Sequence, residues 1–166
     1  MATARKKRAT QKELVIARFF NAPRLRVWKA WTEPDRMMRW WGPKGFTCPV
    51  CKTDFRIGGR YHSAMLSPDG KYYWSTGVYR EIVPLEKIVD TDSFSDEKGN
   101  VVPATHYGMS EDFPLELLVT VTLEEQNGKT RLTLQHLGFP SAKDMEDARQ
   151  GWSESFDKLE AYLEDI

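Results

Sequence analysis

The stretch LLVTVTLEEQNGKTRLTLQHL, residues 117–137, restricts the possible folds more than any other part of the chain. Asn127-Gly128 suits a two-residue hairpin turn, because both central positions of that turn need positive φ. On either side of it apolar and polar residues alternate. One face collects Leu117, Val119, Val121 and Leu123, then Leu132, Leu134 and His136. The other collects Thr120, Thr122, Thr133 and Gln135. This is an antiparallel pair with one dry face and one wet face, and the dry face must be covered.

The cover is written at the end of the chain. After Ser141, a helix cap, the apolar residues Met145, Ala148, Trp152, Phe156, Leu159 and Leu163 recur at three- and four-residue steps, the stripe of a long amphipathic helix. Gly151 lowers helix propensity there by about 1 kcal/mol relative to alanine, which a close packing contact would explain.

Upstream, residues 13–20 predict a strand ended by Asn-Ala-Pro. Asn21 is expected to cap a helix over about 22–31, and T-E-P-D from Thr32 resembles a capping box opening a second helix. That helix should run to Trp41, where Gly42-Pro43 stops it. Met37, Trp40 and Trp41, at i, i+3 and i+4, would then share a side, too bulky for a simple docking contact. Strands are expected over about 46–56, 59–67, 72–82, 86–94, 115–125 and 130–138. The intervening residues 95–114 lack periodicity and read as a lid or a mobile surface loop.

The order is therefore α+β: one strand, two short helices, an antiparallel sheet and a long terminal helix. A curved sheet and a straight helix cannot touch along their full lengths, so a hollow is expected between them, with the short helices plugging one end. At 166 residues one domain is expected, over 13–166. Residues 1–12 contain Arg5, Lys6, Lys7, Arg8 and Lys12 and no acid, so a formal net charge of zero leaves the remainder about five charges negative. We read that leader as disordered and solvated, because an acidic body behind five cations suits nucleic acid poorly. No run approaches the roughly 18 apolar residues of a membrane span and no signal peptide opens the chain, so a cytoplasmic location is expected.

Few residues suggest chemistry. Cys48 and Cys51 form a C-x-x-C pair, but His62, His106 and His136 lie too far apart to complete a zinc site. At i and i+3 of a strand the two thiols should face opposite ways, as structural residues. Asp54 and Arg56 read as an ion pair at the Gly58-Gly59 turn. Asp90 and Asp92 share a face and read as solvated strand-edge residues. His62 and Met65 lie on opposite faces. No Ser-His-Asp order, phosphate loop, metal triad or cofactor motif is present.

Four segments are similar to the START-like (SRPBCC) superfamily, and within it to homologues of the activator of the heat-shock protein 90 ATPase. They are VIARFFNAPRLRVWKAWTEPDRMMRWWGP, DFRIGGRYHSAM, GVYREIVPLEKIV, and LTLQHLGFP with GWSESFDKLEAYL. The resemblance spans about Glu13 to Leu163 and implies a helix-grip fold with a binding cavity between sheet and long helix. It implies no ligand. The loop SDEKGNVVPATHYGM is longer than that family's usual connection.

The expectation is a protein that binds a small hydrophobic or aromatic molecule, without cofactor, catalytic residue or metal, as a monomer or weak homodimer. Trp40, Trp41, Trp74, His136, Trp152 and Phe156 are the candidate lining residues. Two alternatives stay open. One is a cyclase- or hydrolase-like enzyme with His136 as base and Tyr107 as a second proton-transfer group; the other is a regulator of a chaperone ATPase acting through its outer surface.

Overall fold

A computed structural model describes residues 12–164. The expected basic leader lies outside the described residues except for Lys12, which opens the first strand. The elements are β1 (Lys12–Phe20), α1 (Arg24–Thr32), α2 (Pro34–Met37), β2 (Thr47–Thr53), β3 (Arg60–Leu66), β4 (Tyr72–Val83), β5 (Lys87–Ser95), β6 (Leu117–Gln126), β7 (Lys129–Phe139) and α3 (Ala142–Glu164). All seven strands join one antiparallel sheet in the order β1-β7-β6-β5-β4-β3-β2. This is the helix-grip α+β fold.

That order explains the short helices. Strands β1 and β2 are consecutive in sequence but occupy opposite edges of the sheet. Their connection must cross the concave side, and α1 and α2 lie on that crossing.

The hairpin forms as its sequence dictates. Asn127 and Gly128 both have positive φ, 53° and 79°, and Leu123 pairs with Leu132, Val121 with Leu134 and Val119 with His136. Ser141 caps α3 by accepting from the Asp144 backbone N–H (3.1 Å) while its hydroxyl donates to the Asp144 carboxylate (2.7 Å). Gly151 faces Pro43, whose Cγ would stand 3.6 Å from an added Cβ. That is ordinary contact, so packing accounts for the glycine only weakly.

The other two caps differ from expectation. Asn21 is exposed and makes no cap bond; Pro23 precedes α1 instead. The hydroxyl of Thr32 bonds back to the Trp28 carbonyl at 2.9 Å rather than capping α2. Helix α2 is only four residues long, because Pro34 and Asp35 start a turn that no side chain caps.

Residues 96–114 are better ordered than a free loop. Val101 bridges to Ser95, residues Ala104–Tyr107 form a 3-10 turn, and the Tyr107 hydroxyl donates to the Ser95 carbonyl at 2.5 Å. Phe113 packs edge-on against Phe94 and Phe139. No helix among the described residues is long and apolar enough to cross a membrane.

Candidate functional site

The concave face changes character from one side to the other. On β1, β7 and β6 it is aliphatic and aromatic, with Leu14, Phe20, Leu132, Leu134, Val121 and Leu123 buried. Helix α3 lies over β1 and β7, and its Phe156, Leu159 and Leu163 complete that packing. On β5, β4, β3 and β2 the inward positions are Asp90 and Asp92, Tyr79, Tyr61 and Ser63, then Cys51 and Thr53. Here α3 no longer reaches the sheet, and a partly open cavity of about 60 Å³ remains.

One wall is indole. Trp31 from α1, Trp41 from the turn after α2 and Trp152 from α3 all line the hollow. Trp31 stacks on Trp152 with centroids 6.0 Å apart, and Trp41 meets Trp152 edge-on at 5.2 Å. Such offset and edge-to-face pairs lock each ring against its neighbours. The Gly42-Pro43 turn that carries Trp41 is fastened from α3 by Lys158, whose ammonium donates to the carbonyls of Gly42 (2.9 Å), Pro43 (3.4 Å) and Phe46 (3.0 Å). The turn is thus a built part of the wall.

The opposite wall is acidic and phenolic. Asp90 and Asp92 sit two residues apart on β5 and so point to one side, inward, not along a solvated edge. Burial, then the charge of Asp92, pushes the Asp90 carboxyl well above the usual carboxylate range. Burial, then nearby acids, raises the phenols of Tyr61 and Tyr79. The Tyr61 hydroxyl lies 3.1 Å from the Thr91 carbonyl and 3.3 Å from Asp92 Oδ1.

His136 stands behind this wall. The Trp152 indole N–H donates to its Nδ1 at 3.1 Å. An indole nitrogen can only donate, so Nδ1 must be the bare nitrogen and the ring's proton sits on Nε2. Nε2 is 3.0 Å from Asp92 Oδ2 but off the line of a good hydrogen bond. A second buried donor, Trp31 Nε1, has no partner. With one ring nitrogen capped and the other turned to Asp92, His136 has no free lone pair for the cavity. Any proton acceptor in the hollow would be Asp92.

Of the candidate lining residues, the structure brings Trp41 and Trp152 to the hollow. Trp40 is fully buried and donates to the Ala30 carbonyl at 2.9 Å, its ring packed against Trp31 and Trp41 with centroids 4.9 and 5.3 Å away instead of lining the hollow. Phe156 is fully buried in the packed half. Trp74 lies on the other face of the sheet, stacked on His62 and Tyr72 with centroids 4.8 and 6.1 Å away. Trp31, Tyr61, Tyr79 and the acid pair were missed.

The remaining candidates are structural. Arg56 Nε meets Asp54 Oδ2 at 2.9 Å beside the Gly58-Gly59 turn, both side chains exposed. A register shift between Thr47 and Val50 removes the strict alternation that set the cysteines on opposite faces. Cys51 lines the hollow, while Cys48 is buried within the field of Lys158. Tyr107 accepts from the Trp74 backbone N–H as well as donating to Ser95, which occupies its hydroxyl. Among the described residues no group of three metal-ligating side chains forms.

Residues 21–164 match the family described as Activator of Hsp90 ATPase homolog 1-like protein. The chain belongs to that family. A crystal structure of a Chromobacterium violaceum protein is 30% identical, with a TM-score of 0.76 over 92% of this chain and 96% of that one. An Arthrobacter aurescens protein solved in solution is 26% identical, TM-score 0.75, over 96% and 89%. A Silicibacter pomeroyi AHSA1 protein, 22% identical at TM-score 0.73 over 92% and 97%, shares the fold. No curated protein matches the sequence.

Proposed function

We propose that this family member binds a small molecule with a mostly apolar or aromatic body, held between α3, the Trp41 turn and strands β2 to β5. The observation that carries the reading is three indoles from three separate elements converging on a space the sheet and helix leave unfilled. A water-sized hollow of about 60 Å³ is far smaller than the roughly 300–1,000 Å³ of a drug-sized ligand pocket. The resting cavity therefore suits a small head group, and a larger body would extend out through its open side, where Trp41 and Trp152 are both partly exposed. Mixed lining, apolar with a few convergent polar groups, is the usual composition of a binding site.

Native mass spectrometry of protein purified from its own host, followed by ligand return monitored by tryptophan fluorescence, tests this. A retained small molecule whose return raises the melting temperature, and whose binding falls at least tenfold in Trp41→Ala, is the expected result. A ligand whose affinity is indifferent to Trp41→Ala and to Trp152→Ala would place binding elsewhere.

A further inference from the structure

We infer that the group entering this cavity is an organic cation, an amine or ammonium nitrogen on an apolar body, received between the Asp90–Asp92 pair and the indole wall. The inference rests on reading the hollow as a binding site and adds the chemistry of what fills it.

Charge is the first reason. Two carboxyl side chains line the hollow, and no lysine or arginine does. An aliphatic ligand would bury them without compensation, and an anion would face them directly; both are costly. The protein's own candidate counter-ion is His136, 3.0 Å from Asp92. Trp152 disables it. The indole N–H at 3.1 Å occupies Nδ1 as a donor, so the ring cannot hold a second proton without breaking that bond. Asp92 is left facing an imidazole whose Nδ1 is already taken up by Trp152, and a phenol.

Shape is the second, independent reason. Opposite the acids stand Trp31, Trp41 and Trp152, with Tyr61 and Tyr79 completing the ring of aromatic surface. Aromatic faces attract cations, indole most strongly, and aromatic cages are a recurrent way of holding alkylated nitrogen. A neutral ligand would gain from the rings but nothing from the acids. A cation gains from both.

A pH dependence follows. Asp90 faces Asp92 on its own strand, Tyr79 from β4, Tyr61 from β3 and Cys51 from β2, with His136 of β7 behind Asp92. Because burial and Asp92 favour its protonated form, a bound cation would draw that proton off, and affinity should rise with pH.

Benzylamine, benzyl alcohol and benzoate share one size and differ in charge, so they test the inference by tryptophan fluorescence and melting temperature on the whole chain. The expected order is benzylamine at least tenfold tighter than benzyl alcohol, with benzoate weakest. Asp92→Asn should bring the amine to within about threefold of the alcohol while leaving the alcohol unchanged. Alcohol binding as tightly as the amine in the unaltered protein, or benzoate binding best, overturns the cation while leaving the cavity a binding site. No response to any of the three removes both. The comparison in the unaltered protein decides even if Asp92→Asn does not fold.

Discussion

The two halves of one concave surface solve opposite problems. Over β1, β7 and β6, side chains from α3 mesh with the sheet until Leu14, Phe20, Leu132, Leu134, Phe156 and Leu159 have no exposed surface. Over β5 to β2 the same surface carries carboxyls, phenols and a thiol, and α3 stands off it. A straight helix can follow a curved sheet only part of the way. Most inward positions record which side of that divide they occupy: apolar where the helix touches, carboxyl, phenol and thiol where it does not, with Ile88, Val119 and Val121 along the border of the hollow. The hollow is thus a consequence of curvature that the sequence has furnished rather than filled.

The sharpest way to break this comparison is to delete one aromatic ring from each half. Phe156→Ala empties a fully buried site and should cost about 3–5 kcal/mol. Trp41→Ala removes a larger ring, but one that is partly exposed and already borders empty space, so its cost should be at most about half as much. Urea unfolding of both variants measures this. Equal losses would mean that the second half is packed core as well.

Much of that division was legible beforehand, and the reasons are local. The hairpin around Asn127-Gly128 announces both its turn and its dry face, and the α3 stripe names the helix that covers it. The hollow half was harder to read. Ile88, Asp90 and Asp92 alternate with Val89, Thr91 and Ser93, so neither face of β5 is plainly apolar and periodicity gives no inward direction. Trp74 shares one unbroken register with Tyr79, since the shift of β4 on β5 comes only between Tyr79 and Glu81; alternation puts it on the outer face once Tyr79 is known to point inward, a direction that β4's own pattern does not give. Helical turns continue from Met37 to Trp41, and adjacent residues of such a turn point about 100° apart, so Trp40 enters the core while Trp41 reaches the cavity.

A smaller effect sharpens the polar half. Trp152→Phe keeps an aromatic side chain but removes the N–H bonded to His136 Nδ1 together with part of the indole; the lost hydrogen bond costs about 0.5–1.5 kcal/mol, and the lost packing adds to it. Nitrogen NMR of the unaltered protein should show Nδ1 as the bare nitrogen and Nε2 as the protonated one. The variant should lose that strict preference. Nδ1 protonated in the unaltered protein would undo the assignment and, with it, the claim that Asp92 lacks a cationic partner.

Asp90 should give the two halves different responses to pH. Its folded-state proton affinity is raised, so above the unfolded carboxyl's titration the native state holds a proton that the unfolded chain has lost. Stability contributed by this group is complete below the unfolded value and is lost as pH rises towards the folded one. Asp90→Asn should flatten that decline and unfold no more easily than the parent at neutral pH. A steeper decline in the variant would show that the carboxylate, not the acid, is the form the fold prefers.

The mildest test needs no substitution. Burial, followed by the charges of Cys51 and Asp35 respectively, pushes the Cys48 thiol up to about 12 and the Cys51 thiol up to about 11. Since only the thiolate attacks, at pH 8 Cys51 is ionised to roughly one part in a thousand, and native alkylation by iodoacetamide should run about a hundredfold or more below that of the unfolded chain. The order between the two reports whether the hollow is open. Cys51 lines the hollow, while Cys48 is sealed behind it. Its lower proton affinity alone favours Cys51 about tenfold, and access through the cavity favours it further. Peptide mapping should therefore find Cys51 modified first, more slowly still with a ligand bound. Modification of Cys48 first would mean that the hollow is closed to solvent and that reagent enters from the β2 edge.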